Sequence, residues 1–287
     1  MTDSGENDAR TLKALRDRID DIDGKMHRLL IERATVIEAL IRTKGTSRPG
    51  AAFRPMREAD MMRRLVARHE GALPVATVEH IWREIITTFT HMQAPFNVAL
   101  DASVDGDGMR DLARFFFGFS VRLVSCDSAA AVVADVAAKG DLGLVARKAR
   151  GPWWQALVKP QAPRIMALVP FIAPADGPLN LPAFIISPPL TDETPSDLVT
   201  FAATIEGPLH SVPEVAVLAT AVVEGATEAL SAAPAGVAVS EGLRKAGTAV
   251  RSLVPVGGFA RGIALGGTST LLYRAAAGVG AEAGERV

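Results

Sequence analysis

The chain of 287 residues carries 31 Lys and Arg against 32 Asp and Glu, a formal charge of −1, and this balance excludes a nucleic-acid or anionic-membrane partner that needs a concentrated basic face. One cysteine, Cys126, excludes an intrachain disulfide framework and points to a reducing compartment. The polar, acidic start and the lack of any run of 18 apolar residues predict a cytoplasmic protein with no membrane span, and the length suits two domains.

The first element is a long amphipathic helix from about Ala9 to Lys44. Leu12, Leu15, Ile19, Ile22, Met26, Leu29 and Leu30 recur at three-and-four spacing, the period of a helix that buries one face. Continued, that stripe runs through Arg33, Ile37, Leu40 and Lys44. A buried cation costs several kcal/mol unless an anion meets it, so a partner carboxylate or a negatively charged ligand is expected there. Arg33 and Lys44 stand eleven residues apart on one face, about 16 Å along the axis, close enough for two long side chains to grip one small molecule. Arg16 also lies on the buried side, but about 25 Å from Arg33. An antiparallel partner helix would bring it back, which predicts a homodimer with two equivalent sites.

Pro55 is placed to open a second helix running to about Gly71, and a third follows Pro74 and stops at Pro95. On the second, Glu58 sits at the edge of the face made by Met61, Met62 and Leu65, with Arg57 beside it. On the third, Val78, Ile81, Trp82, Ile85, Ile86 and Phe89 share a face that Gln93 continues. Polar residues thus interrupt the apolar faces of three consecutive helices. Singly, each has an ordinary explanation: Arg33 snorkels or pairs with a nearby acid, Lys44 caps a helix end, Gln93 is frayed surface. Their coincidence favours a shared polar pocket.

After Pro95 charge thins and Ala, Gly and Val dominate. Strands are expected at 97–101, 121–125 and 142–146, with helices at 109–117 and 129–139 between them, the alternation of an α/β layer with a parallel sheet. Apolar runs follow at 164–172 and 183–187, a strand at 198–205, a helix at 240–246 and a strand at 250–255. From about Ala275 the residues are small and polar enough to be disordered. Asp105-Gly106-Asp107-Gly108 lacks the Lys-Ser/Thr of a P-loop and the third glycine of a dinucleotide site, and reads as a strand-to-helix turn with Asp107 as the cap. His210, Asp101 and Asp105 form no ligand spacing, so no cofactor and no metal is expected.

As a set, Leu15-Arg16, Ile19-Asp20, Ile22-Asp23, Leu29-Leu30, Glu32-Arg33, Lys44, Arg57-Glu58 and Gln93 resemble the all-helical chorismate mutases, over residues 10 to 95. The resemblance implies an N-terminal all-α three-helix domain, 1–95, forming an intertwined dimer, followed by an α/β domain, 96–287. It implies that Arg16 from the partner and Arg33 bind the two carboxylates of chorismate. Arg57 and Glu58 would hold its carboxylate and hydroxyl region, and Lys44 with Gln93 would donate to the ether oxygen. Two positions depart from the family pattern. Phe89 stands where a small hydroxyl residue is common, and Arg54 where some members have an acid; Arg54 is either a replacement carboxylate ligand or a solvated loop residue.

Such domains are often fused to a prephenate dehydratase, but the Thr-Arg-Phe tripeptide, the Gly-Pro-x-Gly-Thr start and the Glu-Asn-Ser segment of that enzyme are missing. The second part therefore looks like a degenerate dehydratase-like region, with a faint likeness after Leu198 to small ligand-sensing βαββαβ modules. Two alternatives to a mutase stand beside it: an isochorismate pyruvate-lyase, which uses the same helical dimer, and a non-catalytic dimeric metabolite sensor.

Overall fold

A computed structural model describes residues 3–44, 52–174, 181–190 and 194–265. Three helices come first, α1 (Asp3–Lys44), α2 (Pro55–Ala67) and α3 (Val75–Gln93), and an α/β region follows, as the periodicity predicts. The chain divides into two compact units, residues 1–47 and 48–287.

The first unit is α1. Its apolar stripe is open to solvent, with Leu12, Leu15, Ile19 and Leu29 between 53% and 63% exposed. Ion pairs one turn apart, Lys13 to Asp17 at 2.7 Å and Lys25 to Asp21 at 2.5 Å, decorate the polar side. At such exposure each is worth a few tenths of a kcal/mol.

The second unit begins with α2 and α3, so the boundary expected at residue 95 falls inside it. The reason is packing. Met62, Leu65 and Val66 of α2 and Ile86 of α3 share one buried cluster with Phe171, Ile172, Ala260 and Ile263 of the α/β region. Arg63 adds a polar tie: it pairs with Asp60 at 2.9 Å and with Asp197, and donates to the Arg261 carbonyl at 3.1 Å.

Beyond α3 the described residues form β1 (Val98–Asp101), α4 (Gly106–Phe117), β2 (Leu123–Cys126), α5 (Ala129–Lys139) and β3 (Leu142–Ala146). β2, β1 and β3 are parallel, in that order across the sheet. The α5 N-cap is Ser128, and Gly140 in the left-handed region closes the helix. At α4 the cap is Asp105, which accepts from the Gly108 N–H at 2.9 Å; Asp107, the expected cap, lies inside the helix.

The parallel layer ends there. β4 (Arg164–Val169) and β6 (Ala183–Ser187) join antiparallel to the growing sheet. The short β5 (Ile172–Pro174) pairs instead with β11 (Ile263–Leu265). The remaining strands are β7 (Leu198–Glu206), β8 (Ala216–Val223), β9 (Ala226–Pro234) and β10 (Ala249–Phe259), with α6 (Val239–Lys245) before β10. They lie antiparallel in the order β10-β7-β9-β8 and complete a nine-stranded sheet.

First-to-last, that order is 4-1-3-2, the arrangement of a ferredoxin-like βαββαβ unit. Its first helix is replaced by the loop 207–215, which contains Pro208 and Pro213. Leu209, Val212 and Val215 of that loop pack with Leu243 of α6, so the loop covers sheet that a helix would otherwise bury. The region from about Ala275 lies outside the described residues, as does the centre of the loop between β5 and β6.

Candidate functional site

On α1, Arg16 is exposed and Arg33 half-buried, while Lys44 is the last helical residue and its side chain lies outside the described part. These three belong to the first unit. Arg57, Glu58 and Gln93 belong to the second, where they occupy quite different surroundings.

Arg57 is exposed in the first turn of α2. Glu58, next along, turns inward and accepts from Arg83 at 3.1 Å, with side-chain exposures of 12% and 3%. Arg83 also faces Glu79 at 3.6 Å, one turn back on α3, and lies 4.0 Å over the Phe116 ring of α4. Two acids thus flank one cation in a dry, aromatic-lined space. Burial pushes the Glu58 carboxyl above the ordinary range against the opposing pull of Arg83, and the same contest leaves Glu79 at about 7.

Gln93 is half-buried at the end of α3, and its amide donates to the Phe89 carbonyl of its own helix at 3.0 Å. Phe89 is 7% exposed and is a core residue. Arg54 is half-buried ahead of α2 and donates to the Phe53 carbonyl at 3.0 Å.

Arg83 and Glu79 are absent from the sequence-level candidates. Their four-residue spacing on a helix ordinarily signals a solvent-exposed ion pair. The signal that identifies them is the continuation of their face through Thr87 and Thr90, both buried, where Thr87 donates to the Phe116 carbonyl of α4 at 3.2 Å. α3 therefore buries two faces, one against α2 and one against α4.

Cys126 is not poised as a nucleophile: burial, then Asp135, raises its thiol pKa. Among the described residues no group of three or more His, Cys, Asp or Glu is placed to hold a metal, and no helix is long and apolar enough to cross a membrane.

The helical start and the α/β region that follows it in the chain define a class: a helical N-terminal segment fused to a sheet-rich domain. Residues 15–94 match the family model of chorismate mutase type II. Among curated relatives, the bifunctional chorismate mutase/prephenate dehydratase of Neisseria gonorrhoeae is 32% identical over 111 residues, covering 39% of this chain and 30% of that protein. The protein of the same name from Stutzerimonas stutzeri is 32% identical over 119 residues, covering 40% and 32%. That of Aquifex aeolicus is 30% identical over 139 residues, covering 47% and 38%. The chain thus spans about a third of the length of these relatives. No solved structure matches it.

Proposed function

We propose that the protein is a chorismate mutase, converting chorismate to prephenate in a cytoplasmic homodimer. The observation that carries this reading is the family match over residues 15–94, which contains every proposed ligand: Arg16, Arg33, Lys44, Arg57, Glu58 and Gln93. The chemistry suits these residue types. The rearrangement breaks one C–O bond as one C–C bond forms, within a single molecule, so a nucleophile is not needed. The protein must hold a chair-like conformer and stabilise negative charge growing on the ether oxygen.

In the proposed site Arg33 and Arg16 of the partner subunit grip the carboxylates, and Arg57 with Glu58 orients the carboxylate and hydroxyl region. Lys44 and Gln93 donate to the ether oxygen. A millionfold enhancement asks for only about 8 kcal/mol of transition-state stabilisation, within reach of two donors and several cations in a dry site. The exposed apolar stripe of α1 supports the dimer, because a run of large apolar residues left in water favours self-association. The α/β region is read as a degenerate dehydratase-like part that does not dehydrate prephenate, since the motifs of that enzyme are missing from the sequence.

A second reading, a dimeric metabolite sensor without catalysis, has a specific observation in its favour. Glu58 is engaged by Arg83 and the Gln93 amide by its own helix, so neither is held ready for substrate in the single chain. Incubating the full chain with chorismate and following its loss separates the two: a mutase consumes it and a sensor does not.

A further inference from the structure

A guanidinium sealed between three helices has no part in the proposed catalytic set. Arg83 of α3 has a side chain only 3% exposed, and its Nη1 donates to Glu58 Oε2 of α2 at 3.1 Å. Its Nε faces Glu79 Oε1 at 3.6 Å, a charge contact too long for a hydrogen bond. The Phe116 ring of α4 lies 4.0 Å from the guanidinium carbon. A planar fork that is stacked on a ring and paired with an acid has little freedom to turn.

Phe116 is itself fixed. It is 4% exposed, in the cluster that holds Val98 and Leu100 of β1, and its ring meets that of Phe117 edge-on at 5.2 Å. Its carbonyl accepts from Thr87 of α3 at 3.2 Å, and His80 of α3 stacks on Phe115 at 5.0 Å. His80, Arg83 and Thr87 follow at three-and-four spacing, so one face of α3 is held along α4 at three successive points. The α/β region thus supplies the wall against which Arg83 stands, and Arg83 in turn faces Glu58.

Of the three charged side chains, Glu58 reaches furthest toward solvent, at 12% exposure against 3% for Arg83 and 2% for Glu79. The Arg54 backbone gives its carboxylate a second hydrogen bond. An ionised carboxylate offers about four lone-pair sites, so these two bonds orient Glu58 without using it up. Arg83 also opposes the burial that would neutralise the acid. We propose that Arg83, backed by Phe116, is a positioning residue that fixes the Glu58 carboxylate to accept from the substrate hydroxyl. This rests on the mutase reading and deepens it, because it gives the α/β region a part in the site: α4 holds the arginine that holds the acid.

The test follows chorismate turnover by the full chain carrying Arg83→Lys, which keeps the charge and loses the planar fork, or Phe116→Leu, which keeps an apolar core and loses the ring. Because the hydroxyl contact exists before the transition state, each variant should raise KM for chorismate by about tenfold with kcat within about twofold. A purely structural role predicts the reverse, since a smaller folded fraction lowers the apparent kcat and leaves KM alone. In a Glu58→Ala background neither change should raise KM further; where that background has no measurable rate, the split between KM and kcat in the single variants decides. If Arg83→Lys fails to fold, Phe116→Leu decides alone. Turnover by the wild type with KM unmoved in the variants, or a rise in KM that persists in Glu58→Ala, would overturn this inference and leave the mutase standing. No turnover of chorismate by the wild type would overturn both.

Discussion

Arg83 of α3 donates to Glu58 of α2 at 3.1 Å with both side chains largely shut from water, so the acid proposed to meet the substrate hydroxyl is already in an ion pair. That pair joins the two helices, and Phe116 closes its other side. Removing the cation alone leaves two buried acids without a counter-charge, a change that typically costs about 3 to 5 kcal/mol. Arg83→Met should therefore lower the stability of the second unit by that order in urea denaturation, and adding Glu58→Gln and Glu79→Gln should restore part of it. Equal stability of Arg83→Met and the wild type would show that the pair contributes nothing to the fold.

The pH dependence has a definite sign. The Glu79 carboxyl is raised from 4.5 to about 7 by burial, with Arg83 opposing, so the folded state favours the protonated form. The associated stability is complete below about 4.5 and is lost as pH rises through about 7. Denaturant midpoints measured across this interval should fall, and Glu79→Gln should flatten the slope. A midpoint that rises with pH in the wild type, or a slope unaltered in the variant, would contradict this.

Assembly follows from the stripe on α1. With Leu12, Leu15, Ile19, Ile22, Met26 and Leu29 between 46% and 63% exposed, sedimentation at micromolar concentration should show a dimer, and Leu15→Lys with Ile22→Lys should shift it to monomer. Mixing subunits carrying Arg16→Ala with subunits carrying Arg33→Ala should recover activity, since a heterodimer rebuilds one intact site. No recovery after subunit exchange would count against Arg16 acting across the dimer.

Lys44 and Gln93 test the mechanism. Lys44→Ala removes a charge-assisted donor worth roughly 2 to 3 kcal/mol, and the loss should fall on kcat, because the ether oxygen gains its charge in the transition state. Gln93→Glu should depress activity at neutral pH and regain it in acid, where the carboxyl again carries a proton to donate. An unchanged kcat in Lys44→Ala, or a flat pH profile in Gln93→Glu, would favour the sensor.

Much of the fold is legible in the sequence where local rules decide. α1, α2 and α3 follow from periodicity and from Pro55, Pro74 and Pro95. α5, β3 and β6 begin and end at the residues that composition marks. β9 was not legible, because ATEALSAAP is largely small residues with little β-branched or aromatic contrast and pairing with β7 and β8 makes it a strand; β8, AVLATAVV, was missed although Val217, Thr220, Val222 and Val223 are β-branched. The parallel sheet expected after residue 95 is continuous for β1, β2 and β3 and recurs where β10 meets β4 and β11 meets β5, while the other pairings are antiparallel, because strand direction is set by long-range pairing that periodicity does not encode. The same limit hid Arg83 and Glu79. An ion pair one turn apart reads as a wet face until another helix is known to cover it. Glu58 was legible as an inward-facing acid, but its partner 25 residues on was not.

The measurement that bears most directly on the proposed function is the fate of chorismate incubated with the purified full chain, resolved into prephenate, pyruvate and phenylpyruvate. A mutase should consume chorismate and release an equal amount of prephenate, with no pyruvate and no enzymatic formation of phenylpyruvate. Release of pyruvate from isochorismate, with chorismate untouched, would assign the lyase; no consumption of either compound by the dimer would contradict catalysis altogether.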